Sequence, residues 1–265
     1  MTKEVKEEIA DEIIFLGSGG ARIVVFKQIR ASGGIWFSIG NTNLLIDPGP
    51  GSLVRITQSK VKLDPTKLDA VLLSHRHLDH AGDVNVIIEA ITTGGTVKRG
   101  MLFCPSDALF GDDPIVYKYL RNFLNEIVIL KEKGKYEIKD IKFTTPVRHD
   151  HRSETYGFLF DTKKIKISYI ADTRYFPELA KIYASDLAII NVVRAQESDL
   201  DHLSIPDVKK IIIAMQPKRV ILNHFGMTII KAKPWELATK LSEETGVKVL
   251  AAHDGMRFPL AELEG

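Results

Sequence analysis

The sequence predicts an α/β protein in which two β-sheets pack face to face with helices on the outside. Three observations carry that expectation. Short apolar runs bounded by turn residues crowd the first half of the chain at hairpin spacing. In the second half the runs alternate with segments of helical period. Finally, four runs end in a candidate ligand: "VLLS" leads into His75, "ISYIA" into Asp172, "VILN" into His224, and "VLAA" into His253 and Asp254. In α/β folds chemistry gathers beyond the carboxyl ends of strands, where rigid elements position what the loops present.

The elements follow in chain order. "EIIFLG", "ARIVVF", "GIWFSI", "TNLLID" and "AVLLS" read as strands, and "GDVNVIIEAIT" as the first helix. "MLFC" is a strand and "DPIVYKYLRNFL" a second helix. Five further strands are "YEI", "IKFTT", "YGFLF", "IKISYIAD" and "DLAIINVV". "SIPDVKKIIIAMQ" opens on Ser204 as N-cap with Asp207 three residues on, the spacing of a capping box. After the strand "RVILN", "PWELATKLSEETG" starts near Pro234 and stops at Gly246, the expected polarity for a helix, and "KVLAA" is the last strand. No low-complexity tract, repeat or Pro/Gly/Ser linker interrupts this series, so one domain over residues 1–265 is expected.

Composition narrows the class. Hydrophobic residues make up 45% and charged residues 26%, ordinary values for a globular protein. A formal net charge of +2 argues against a surface that coats nucleic acid. The single cysteine, Cys104, excludes a disulfide framework within the chain and fits a reducing, cytoplasmic location. The charged opening "MTKEVKEEIADE" lacks the apolar core of a secretory signal, and no apolar run reaches the roughly 18 residues of a membrane span.

The densest chemistry lies in "SHRHLDHAGD", where His75, His77, Asp79 and His80 fall within six positions. On a strand, His75 and His77 share a face and can chelate one ion. The turn into the following helix can bring Asp79 and His80 beside them for a second. Imidazoles mixed with carboxylate suit Zn²⁺, Fe or Mn²⁺ better than Ca²⁺ or Mg²⁺. A solvated histidine-rich turn fits poorly between a buried strand and a Gly-Asp step.

This motif resembles the His-x-His-x-Asp-His signature of the metallo-β-lactamase superfamily, and the rest of the chain lines up around it. "FLGSGG" is similar to the glycine turn of the phosphodiesterase branch, and "LLIDPGPG" to its Asp-Pro-Gly strand end. "YIADTR" resembles the segment carrying a bridging aspartate, and "ILNHFGM" the one carrying the last histidine. "DHLS" resembles the extra histidine motif of tRNA 3′-processing endonucleases and related cyclic phosphodiesterases. The resemblance implies a four-layer αββα sandwich and two divalent metal ions, zinc first, with manganese or iron as alternatives. One ion would sit on His75, His77 and a histidine of the loop "RHDHRSETYG", the other on Asp79, His80 and His224, with Asp172 bridging. In that loop, the His-x-x-Glu-x-aromatic-Gly spacing selects His151, the preferred ligand, while the Pro-x-x-His spacing selects His149. Asp79 and His202 are the expected catalytic residues, His202 as acid or oxyanion stabiliser.

Asp47, at a strand end, is expected to orient a ligand histidine. His253 reads as structural, Cys104 as core, and Arg30 and Arg174 as candidates to grip an anionic group. Gly17, Gly19 and Gly20 fit a phosphate cradle or a simple turn equally well. The implied activity is hydrolysis by a two-metal-bound hydroxide. The substrate is expected to be a small-molecule anion, a small or cyclic phosphodiester. Structured RNA is disfavoured because no Gly/Pro-rich basic arm is evident. The alternatives are a carboxylic ester, lactone or thioester hydrolase of glyoxalase-II type, and a di-iron redox protein. The family's habit of pairing makes a homodimer a candidate partner.

Overall fold

Period-2 alternation explains how this chain makes two buried sheets. Ile13 and Phe15 point into one apolar layer while Ile14 and Leu16 point into another, and Leu44, Leu45 and Ile46 repeat the pattern. Strands buried on both faces need apolar residues at every position, which is why they read as continuous runs. In the computed structural model, which describes residues 11–263, these runs form β1 (Glu12–Phe15), β2 (Ile35–Ile39), β3 (Thr42–Ile46), β4 (Ala70–Leu72), β5 (Met101–Cys104) and β6 (Glu126–Ile129). They continue as β7 (Gly134–Ile138), β8 (Ile141–Thr145), β9 (Phe158–Asp161), β10 (Lys166–Ile170), β11 (Leu187–Asn191), β12 (Arg219–Asn223), β13 (Lys248–Ala251) and β14 (Met256–Pro259). The opening segment read for a leader lies largely outside the described residues.

The strands assemble into two seven-stranded sheets, in the orders β14-β1-β2-β3-β4-β5-β6 and β13-β12-β11-β10-β9-β8-β7. Each is mixed. β3 to β6 run parallel, as do β10 to β13, and the remaining pairs are antiparallel. The layer between the sheets holds Phe37, Phe143, Phe158 and Phe160 with the inward aliphatics of both. The outer face of the first sheet packs on the helix Val84–Ile91, and that of the second on Ile205–Met215 and Pro234–Thr245. This is the expected αββα sandwich. The capping box at Ser204 and Asp207 is present, and Gly246 closes the last helix with φ 73°.

Local expectations fail at four places. "ARIVVF" is not a strand: Arg22–Phe26 form one short helical turn. "DPIVYKYLRNFL" is not an α-helix but a 3₁₀ stretch, Lys118–Phe123. β6 and β14 were not expected at all. Among the described residues no helix is long and apolar enough to cross a membrane.

Candidate metal centre

The parallel strands deliver the site. β4 ends at Leu72, and the chain that follows carries Ser74, His75 and His77 into the short helix Leu78–Ala81, which contains Asp79 and His80. Asp172 lies just beyond β10, His224 just beyond β12, and His151 in the β8–β9 connection. Two groups of ligand atoms result. His75, His77 and His151 converge in one, Asp79, His80 and His224 in the other, and two further sets overlap them, His75, His80 and Asp172 and His151, Asp172 and His202.

In the first group Nε2 of His75 lies 2.9 Å from Nδ1 of His77, and Nε2 of His151 lies 3.2 Å from the same atom. The opposite nitrogens are committed. Ser74 Oγ donates to Asp47 Oδ2 at 2.7 Å, so at 3.0 Å it accepts from His75 Nδ1–H. His151 Nδ1–H donates to Asp201, whose backbone oxygen and Oδ2 both lie 3.1 Å away. Both Nε2 atoms therefore aim lone pairs at one point, and a single proton on His77 cannot satisfy both. Burial, with His80 nearby, pushes His75 well below the usual histidine range, and burial beside His151 lowers His77 to about 4. These rings resist protons but present donors, the chemistry of a cation site.

The second group is richer in anions. His224 Nε2 lies 3.3 Å from Asp79 Oδ2, and its Nδ1 lies 3.5 Å from Asp172 Oδ1. His80 Nε2 lies 3.4 Å from Asp172 Oδ2, while its Nδ1–H donates to Asp47 at 2.9 Å. His80 Nε2 and both nitrogens of His224 are buried without a hydrogen-bond partner among the described residues. Burial opposes charge on His80, yet Asp172, Asp47 and Asp79 outweigh it and hold its pKa well above the ordinary value. Burial would likewise raise Asp79 and Asp172, but the surrounding histidines keep both carboxyls well below the usual range. Orphaned nitrogens amid ionised carboxylates attract positive charge, and mixed N/O donors fit zinc, manganese or iron.

A hydrogen-bonded scaffold supports these rings: Asp47 orients a ligand histidine, as the sequence led us to expect, and is joined by Tyr169 and Asn191, which sequence reasoning missed. Asp47 accepts from Ser74 N, Ser74 Oγ, His80 Nδ1 and Tyr169 Oη, the last at 2.7 Å. Asn191 Nδ2 donates to Tyr169 Oη and to Asp172 Oδ1, at 3.1 and 3.0 Å. Such partners fix the tautomer and direction of a ligand ring. Ala21 N–H donates to Asp79 Oδ2 at 2.9 Å, so the glycine turn steadies that carboxylate. Asp254 accepts from Ser18 and Ala31 and clamps the same turn, whereas His253 is exposed.

The remaining candidates separate clearly. His149 does not join the cluster: its Nε2 lies 2.7 Å from Tyr183 Oη and its Nδ1 3.2 Å from the Asp172 carbonyl. His202 does, with Nε2 at 3.3 Å from Asp172 Oδ2. Burial lowers its pKa, but the contact with Asp172 outweighs this and raises it. Arg30 is spent internally on Ser18 Oγ and the Ala252 carbonyl. Arg174 stays exposed and, with His202, lines an open cleft of about 600 Å³. Cys104 is buried, and burial pushes its thiol up to about 12.

Two sheets of an αββα sandwich deliver histidines and aspartates from their strand tips to one rim, in groups that could hold a metal ion. The chain belongs to the metallo-β-lactamase superfamily: the β-lactamase superfamily domain matches residues 42–225. Protein MJ1374 of Methanocaldococcus jannaschii is 32% identical over 258 residues, 94% of this chain and 95% of its own. Among solved structures, the metallo-β-lactamase fold protein YhfI of Bacillus subtilis superposes with a TM-score of 0.77 at 19% identity, over 94% of this chain and 99% of its own. A diphosphatase of the PhnP family superposes with a TM-score of 0.69 at 17% identity, over 94% and 97%.

Proposed function

We propose that the protein is a metal-dependent hydrolase acting on a small or cyclic phosphodiester. The observation that carries this reading is the convergence of two donor clusters on Asp172, with His202 beside the same carboxylate at the wall of an open cleft. His75, His77 and His151 would hold one divalent cation and Asp79, His80 and His224 a second, with Asp172 in reach of both. When bound, such cations supply Lewis acidity and acidify water toward neutral pH. The chain's own groups do the rest. Asp79, anchored by Ala21 N–H, offers a carboxylate of fixed direction at the reacting centre. His202 is one-fifth exposed and directs Nε2 into the site, where it can donate a proton to the departing oxygen. Arg174 offers a guanidinium to the anionic group from the same cleft.

Two features favour a small substrate over structured RNA. Lys210, the other cation of the cleft, is already paired with Glu197 at 2.7 Å and Asp207 at 3.3 Å, so the wall offers little to a polyanion. The chain between Pro105 and Pro146 is used to build β6, β7 and β8. The PhnP-family likeness is in keeping with a small phosphorus substrate.

The test is hydrolysis of bis(4-nitrophenyl) phosphate and of cyclic nucleotides, against lactones and thioesters, before and after chelation and metal add-back. Diester cleavage that vanishes on chelation and returns with metal is expected. Full activity in the chelated protein, or faster lactone or thioester turnover, would overturn the reading. His202→Ala should keep its metal content and lose about 10²–10⁴-fold in kcat.

A further inference from the structure

Asp201 is 7% exposed and lies where two loops meet. One is the β8–β9 connection, which carries His151. The other follows β11 and carries His202. Its Oδ2 accepts from Arg152 N–H at 3.1 Å and lies 3.1 Å from His151 Nδ1, while its Oδ1 lies 3.6 Å from His202 Nδ1. The far nitrogens of the two rings both aim inward. His151 Nε2 points at His77, and His202 Nε2 at Asp172 Oδ2.

We propose that Asp201 is a positioning residue that sets His151 and His202 as one unit, so that cation binding and turnover depend on a single carboxylate. At His151 a proton on Nδ1 exposes the lone pair at Nε2, and at both rings an acceptor on the Nδ1 side fixes the ring direction, His202 turning its Nε2–H toward Asp172. His202 Nδ1 has no hydrogen-bond partner among the described residues, which leaves the Asp201 carboxylate as its neighbouring acceptor group. His151 keeps a second acceptor, the Asp201 backbone oxygen at 3.1 Å, so the same residue braces that ring twice. The arrangement mirrors Asp47, which holds His80 directly and His75 through Ser74 on the other side of the centre. Arg152 Nε, 3.8 Å from Oδ2 on an 80% exposed side chain, is too solvated to be the reason for burying this carboxylate.

The turnover half of this inference rests on the proposed hydrolase reading; the cation half does not. Asp201→Asn apoprotein titrated with zinc against a competing chelator should show one of two bound equivalents weakened about 10–100-fold. On bis(4-nitrophenyl) phosphate, kcat should fall by a similar factor with KM little changed. In a His202→Ala background the same substitution should lower kcat no further, while still weakening zinc. Wild-type zinc affinity in Asp201→Asn would overturn the inference whatever the activity, and fully additive kcat losses would overturn the link to His202. Should the variant fail to fold, imidazole ¹⁵N NMR of the zinc-loaded wild-type protein decides the matter. An Nδ1 proton on both His151 and His202 supports it, and an unprotonated Nδ1 at either ring refutes it. An absence of diester hydrolysis would count against the hydrolase reading alone, because zinc affinity and tautomers are read without substrate.

Discussion

His224 and Asp47 hold φ values of 62° and 51°, a left-handed conformation that costs non-glycine residues of order 1–3 kcal/mol each. Both lie at the carboxyl ends of strands and aim side chains into the centre. Gly20 makes one of these placements possible, since a Cβ there would stand 2.3 Å from the His224 ring. Gly20→Ala should therefore displace His224 and lower the zinc content while the circular dichroism stays that of the folded chain; undiminished zinc content would show that the ring can yield. The same scale explains what sequence could reveal. His75, His77, Asp79 and His80 announce themselves by spacing, because six adjacent positions cannot be far apart in any fold. His149 and His151 do not, since a two-residue difference depends on how one turn directs its side chains. Tyr169 and Asn191 were invisible because each closes or interrupts an apolar run and looks like core. His149→Ala should keep the wild-type zinc content and take from the buried Tyr183 hydroxyl its side-chain partner, at a cost of about 1–3 kcal/mol in denaturant unfolding. Zinc loss in that variant would return His149 to the ligand set.

Elements were legible where length and caps agreed. Ile205–Met215 has a capping box and buries Val208, Ile211 and Ile212 on one face, so periodicity and chemistry coincide. Arg22–Phe26 has neither advantage. It is a single turn that begins after Ala21 at φ 61°, buries only Val24, and leaves Phe26 68% exposed, so its apolar letters mimic a strand. Lys118–Phe123 shows the converse error. Val116, Leu120 and Leu124 are buried at helical spacing, but the segment lacks a side-chain cap and settles as 3₁₀ turns against the preceding helix. β6 and β14 escaped notice as the four-residue edge strands of the first sheet. Their pairing partners, not their own sequences, make them strands. The cap at Ser204 gives a prediction proper to this scale. Ser204→Ala removes the hydroxyl that accepts from Asp207 N–H and should cost about 1 kcal/mol, seen as a lower denaturant midpoint at constant m. A changed m would mean that the helix had been lost rather than loosened.

At the scale of the molecule, the centre lies on the seam between the two sheets. His75, His77, Asp79 and His80 follow β4 of the first sheet, whereas His151, Asp172 and His224 extend from the second. Away from this rim the sheets are joined by the apolar layer and by β14, which crosses back to pair with β1. A cation held from both sides would tie the rim without adding apolar burial, and its removal would leave carboxylates and imidazoles facing one another across the seam. Binding to the folded state alone stabilises by RT ln(1 + [L]/Kd), about 2.7 kcal/mol for one site at a hundredfold excess over Kd. Cys104 supplies a reporter, since it closes β5 beneath the first sheet's outer layer, fully buried and with its thiol raised to about 12, and so should react only from opened molecules. Labelling that tracks the open population should slow about 100-fold in the zinc-loaded protein relative to the chelated one, because 1.4 kcal/mol corresponds to a factor of ten. Equal labelling rates at saturating zinc would mean that zinc does not bind the folded state in preference to the opened one, and that the two clusters do not tie the sheets together through a cation.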